Sequence, residues 1–66
     1  MEATDEDYAL IKKITENGGR YYTASAIDRR PYSRLEELGW LTHFSPNISD
    51  VVYEIIKLGR EAAAKR

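Results

Sequence analysis

No cysteine occurs among the 66 residues, so no disulfide or thiolate-bound metal can staple the chain. Its fold must rest on packing alone. A domain of about 60 residues buries only about 60% of the surface its unfolded chain exposes. Nearly every large apolar residue is therefore needed in one core, and residues 1–66 read as a single domain. So small a core leaves little room for a deep catalytic pocket, because ligand pockets usually take ~300 Å³ or more. With 42% hydrophobic and 32% charged residues, the composition fits a folded soluble domain rather than a disordered tail. The longest uncharged stretch, Gly39 to Ser49, is broken by Ser, Pro and Asn, so no membrane span is expected. The N-terminus is acidic and lacks an apolar secretion segment, which predicts a cytoplasmic protein.

A formal net charge of −1 gives no overall attraction to a polyanion, but the charges are distributed in blocks. Residues 1–17 carry −3, residues 18–35 carry +3, residues 36–56 carry −4 and residues 57–66 carry +3. Arg20, Arg29, Arg30 and Arg34 make the first basic block; Lys57, Arg60, Lys65 and Arg66 make the second. Two basic segments can give a basic face to a near-neutral molecule.

Thr4 before Asp5-Glu6-Asp7 reads as a helix start, with a capping hydroxyl and acids at the positive end of the dipole. Leu10, Ile11 and Ile14 follow at helical spacing, and Asn17-Gly18-Gly19 is a strong stop. The first helix is predicted over Asp5 to Glu16. Arg20, Tyr21 and Tyr22 are too few for an independent strand, but suffice to pair with a later hairpin. Thr23 caps a short second helix, Ala24 to Asp28. Pro31 opens a third, in which Tyr32, Leu35 and Leu38 recur on one face and Gly39 ends the run. Trp40 to Phe44 and Val51 to Ile56 favour strands around the turn residues Ser45-Pro46-Asn47. Glu54 facing water puts Val51, Tyr53 and Ile55 on the core side. A last, basic helix is predicted from Arg60 to Arg66.

Two runs carry a family resemblance. Arg34-Leu35-Glu36-Glu37-Leu38-Gly39-Trp40-Leu41 resembles the end of a recognition helix and its turn into a wing strand. Tyr53-Glu54-Ile55-Ile56-Lys57-Leu58-Gly59-Arg60-Glu61-Ala62 is similar to the wing exit of MarR- and PadR-type regulators. The resemblance spans about residues 5 to 66. It implies a small α+β winged helix-turn-helix: a three-helix core, a short β-hairpin wing and a C-terminal helix. Ile56 stands where the family usually has a capping Thr, Thr23 to Arg34 is shorter than the usual helix-turn-helix, and Ser45 to Asp50 contains no Lys or Arg.

The same resemblance implies duplex DNA as partner, with the third helix in the major groove. Arg30, Ser33 and Arg34 fall on its outward stripe and are the residues expected nearest the bases, since Arg bonds guanine bidentately and Ser donates or accepts. Arg20, Arg29, Lys57 and Arg60 are expected on the phosphate backbone. Glu37 on the stripe repels phosphate. The function expected is that of a small transcriptional regulator or recombination accessory factor, a homodimer when bound or concentrated. The alternative is a winged-helix module for protein–protein contact or self-association. Whether Arg20, Arg29, Arg30 and Arg34 form one continuous face discriminates the two.

Enzymatic activity is not expected. Lone His43 has no nucleophile or ligand partner in sequence, and reads as a surface residue of a wing strand. The adjacent acids Glu36-Glu37 and Asp5-Glu6-Asp7 point apart on their helices. Gly18-Gly19-Arg20 lacks phosphate-loop spacing. No cofactor, metal or small-molecule substrate is therefore expected. Trp40 and Tyr53 are assigned to the core, while Tyr21 and Tyr22 stay open between core and surface.

Overall fold

Thr4 and Asp7 start the first helix reciprocally. The Thr4 hydroxyl accepts from the Asp7 amide at 3.2 Å, and Asp7 Oδ2 accepts from the Thr4 amide at 2.9 Å. The computed structural model describes residues 2–23, 28–47 and 50–65. Their elements run α1 (Asp5–Glu16), β1 (Arg20–Thr23), α2 (Arg30–Glu37), β2 (Leu41–Phe44), β3 (Val51–Ile55) and α3 (Lys57–Lys65). The domain is thus α+β, with three helices and a three-stranded antiparallel sheet among the described residues. The second helix predicted over Ala24 to Asp28 falls on residues 24–27, outside the described residues; Asp28 itself is not helical.

The turn out of α1 needs Gly18 and Gly19, both at φ +83°, a conformation in which a side chain is strained. Gly19 carries the chain back on itself: its amide donates to the Ile14 carbonyl at 3.0 Å, and its carbonyl accepts from the Ile55 amide at 2.8 Å. That last bond sets β1 beside β3. The sheet order is β1-β3-β2, with Arg20 opposite Glu54 and Tyr22 opposite Val52 on one side. On the other side Leu41 pairs with Ile55 and Phe44 with Val52.

Strand parity divides the sheet into two faces. Tyr21, Tyr53 and Ile55 look toward the helices. The core gathers Ile11 and Ile14 of α1, Leu35 of α2, Trp40, Leu41, Tyr53, Ile55 and Ala62 of α3. Leu10, Leu38 and Val51 pack at its margin, partly buried. The outer face carries Arg20, Tyr22, Thr42, Phe44, Val52 and Glu54. Val52 is fully buried there, between Tyr22 at 67% and Phe44 at 43% exposure. Alternation alone left this residue out of the interior, because its burial comes from neighbouring strands.

Several boundaries differ from expectation: β1 runs on to Thr23, whose hydroxyl donates to the Val51 carbonyl at 2.8 Å, and α2 begins at Arg30 rather than Pro31. Trp40 precedes β2 rather than opening it, and Ile56 follows β3. The Trp40 carbonyl instead accepts from the Ile56 amide at 3.1 Å, closing the base of the hairpin. The last helix begins at Lys57 rather than Arg60, so it includes Gly59.

Candidate nucleic-acid interface

α2 is anchored along its inner side. Leu35 is fully buried, and the Tyr32 ring stacks between Tyr53 at 4.8 Å and Tyr21 at 5.6 Å, both at 17° between planes. Burial pushes the Tyr32 hydroxyl up to about 12, so it stays protonated. These contacts place Tyr21 at the core margin, whereas Tyr22 lies on the outer sheet face. With its inner side held, α2 exposes Arg30, Ser33 and Glu37 to solvent.

Arg34 is engaged within the fold. Its Nε donates to Asp7 Oδ1 at 3.1 Å and its Nη2 to Asp7 Oδ2 at 2.7 Å, a bidentate bond from α2 to the first turn of α1. Asp7 is only 5% exposed, and its charge is supported by Arg34 and by the Thr4 amide. The Arg34 guanidinium beside it, opposed by burial, holds the Asp7 carboxyl down at about 2. Asp7 thus stabilises the folded state above the ordinary Asp range, by of order 1–2 kcal/mol once solvent around Arg34 is allowed for. That contribution is expected to vanish between about pH 4 and pH 2. In urea unfolding across that range, Arg34→Ala should flatten the loss of stability on acidification. An unchanged pH slope would contradict the role given to this pair.

Arg30, by contrast, is anchored only at the surface. It binds Asp28 through Nε–Oδ1 at 3.0 Å and Nη2–Oδ2 at 2.9 Å, with 90% of the side chain exposed. Exposed pairs of this kind are weak and exchange readily for a better anion. Arg29 precedes α2 and is half-buried, while Lys57 and Arg60 are exposed at the start of α3.

Arg20 lies elsewhere. Its Nε donates to Glu54 Oε2 at 2.6 Å, and its guanidinium lies 6.0 Å from the Phe44 ring centre. Both partners are on the outer sheet face, away from α2. The four arginines of the first basic block therefore do not form one continuous face. His43, on β2, donates from Nδ1 to the Glu36 carboxylate at 2.6 Å and is exposed. No cluster of metal-ligating side chains occurs among the described residues, and none of their helices is long and apolar enough to cross a membrane.

Two open clefts accompany these groups. One, about 410 Å³, lies between the starts of α1 and α2 and is lined by Asp7, Leu10, Arg30, Pro31 and Arg34. The other, about 260 Å³, lies where the α1–β1 turn meets α3 and is lined by Gly18, Gly19, Arg20, Glu54 and Arg60.

The DUF3860-like family model matches residues 3–65, from before the α1 cap to the end of α3. The chain belongs to the DUF3860-like family. Comparison with curated proteins gives no match. In this DUF3860-like domain the residue that sequence reasoning missed is Asp7. Its place in the N-terminal turn signals a cap, and the cap is present. Nothing local signals that the same carboxylate receives a guanidinium from α2. Arg34, expected on the outward stripe, instead takes Asp7 as its partner.

Proposed function

We propose that this DUF3860-like domain is a winged helix-turn-helix that binds duplex DNA through the outward stripe of α2, acting as a small transcriptional regulator or recombination accessory factor. The observation that carries this is the presentation of α2. The helix runs directly into the β2–β3 hairpin, its inner side is fixed by Leu35 and Tyr32, and it holds Arg30 and Ser33 in solvent. The pairing of β1 with the return strand β3 supports the same architecture. In this reading Arg30 leaves Asp28 for a base edge, Ser33 bonds alongside it and Arg29 meets phosphate. Arg34 sets the angle between α1 and α2 through Asp7 rather than reading a base. The reading contains no catalytic step. One such module buries only about 600–1,000 Å² on DNA, so a second copy on a paired half-site is part of it.

Binding of labelled duplexes tests this. Arg30→Ala should weaken the preferred site by about tenfold or more and random duplex far less. Glu37→Gln should tighten both by removing repulsion. Equal affinity of Arg30→Ala and the parent chain on every duplex would refute the role of α2. A second reading, contact with another protein, is favoured by two features: Arg20 lies apart from Arg29, Arg30 and Arg34, so the arginines share no single face, and the Tyr22 and Phe44 rings are exposed on the outer sheet face.

A further inference from the structure

We infer that the cleft between the α1–β1 turn and α3 is an oxyanion site that takes one phosphate group between Arg20 and Arg60. The two arginines come from distant parts of the chain, one opening β1 and one in the first turn of α3, yet both line this cleft of about 260 Å³. That volume is below the range of drug-sized pockets and suits a single small group. The charged groups on it are Arg20, Arg60 and Glu54, so its balance is positive. Glu54 engages Nε of Arg20, one of the five donors of that guanidinium. The other four donors of the Arg20 guanidinium are not engaged by Glu54. Arg60 has no ion pair among the described residues.

The shape of the ligand follows from the donors. Thr15, also on the cleft, gives its hydroxyl proton to the Ile11 carbonyl at 2.8 Å, so the guanidiniums are the groups that donate. Two guanidiniums lining one cleft from different elements favour an acceptor with several oxygens. A tetrahedral phosphate offers them, and Arg forks match it bidentately. The site is separate from the α2 stripe, because Arg20 belongs to the outer sheet face.

Amide shifts in a ¹⁵N-labelled sample, titrated with inorganic phosphate at low ionic strength and with chloride as control, decide the matter. Saturable movement of Gly18, Gly19, Arg20 and Arg60 is expected, weakened by about tenfold in Arg60→Gln and strengthened in Glu54→Gln. A parallel titration with mixed-sequence duplex separates the sources. If the group belongs to nucleic acid, duplex moves the same amides, with the movement reduced by Arg60→Gln and retained in Arg30→Ala. Loss of duplex binding in Arg30→Ala alone concerns α2 and leaves the cleft standing. No saturable shift with either phosphate source, or shifts that persist in Arg60→Gln, would overturn the site.

Discussion

Gly59→Ala is expected to cost this domain most or all of its stability. Gly59 is buried in α3, and an added methyl would lie 2.3 Å from the Trp40 carbonyl oxygen and 2.8 Å from Ile55 Cγ1. The carbonyl cannot turn aside without losing the 3.1 Å bond from the Ile56 amide that closes the hairpin. The helix must lift instead, which pulls Ala62 out of the core. Overpacking costs typically about 1–3 kcal/mol and more when backbone is in the way. A chain of this length has only about 3–10 kcal/mol to lose. Gly18→Ala is the matched comparison, since nothing lies within 4 Å of the added methyl and only the strain of φ +83° is incurred. That strain is worth about 1–2 kcal/mol. Thermal unfolding should show Gly18→Ala melting somewhat lower and Gly59→Ala without a cooperative transition at room temperature. A Gly59→Ala protein as stable as its parent would mean that α3 is not seated on Trp40.

Leu35→Ala is the second large effect. Leu35 is fully buried and joins α2 to Ile11, Ile14, Leu41 and Ile55 in one cluster. Removing a buried Leu side chain costs about 2–5 kcal/mol, the spread reflecting how far the cavity collapses. Collapse is limited here, because Tyr32 is held in its stack and Arg34 is tied to Asp7, on either side of the gap. Denaturant unfolding should therefore place the loss in the upper half of that range. A loss of under about 1 kcal/mol would show that α2 is not packed through Leu35.

Much of this architecture is visible in the chain. α1 was predicted with both ends correct, because each end has a local chemical cause: the Thr4 cap and the Gly18-Gly19 turn. The hairpin strands were found from β-branched and aromatic content, within one residue at each end. The start of α3 was missed since Gly59 reads as a helix breaker. Its real purpose, close approach to Trp40, is a tertiary contact that no local pattern carries. The site was less legible for the same reason. Arg34 looks like an outward residue of its helix until Asp7 is brought to it from α1. Arg20 looks like a neighbour of Arg29 and Arg30 until pairing with Glu54 fixes the face to which it points. Both depend on long-range geometry rather than on residue type.

The central claim is that the exposed stripe of α2 binds duplex DNA, and the dependence of duplex affinity on salt measures it most directly. Each phosphate neutralised contributes about −0.9 to the slope of log K against log salt. The parent chain should bind saturably at low salt with a steep slope. The Arg29→Ala, Arg30→Ala double variant should bind more weakly and flatten the slope by about one to two units. If no saturable binding occurs at low salt, or the double variant reproduces the parent slope and affinity, α2 does not bind DNA.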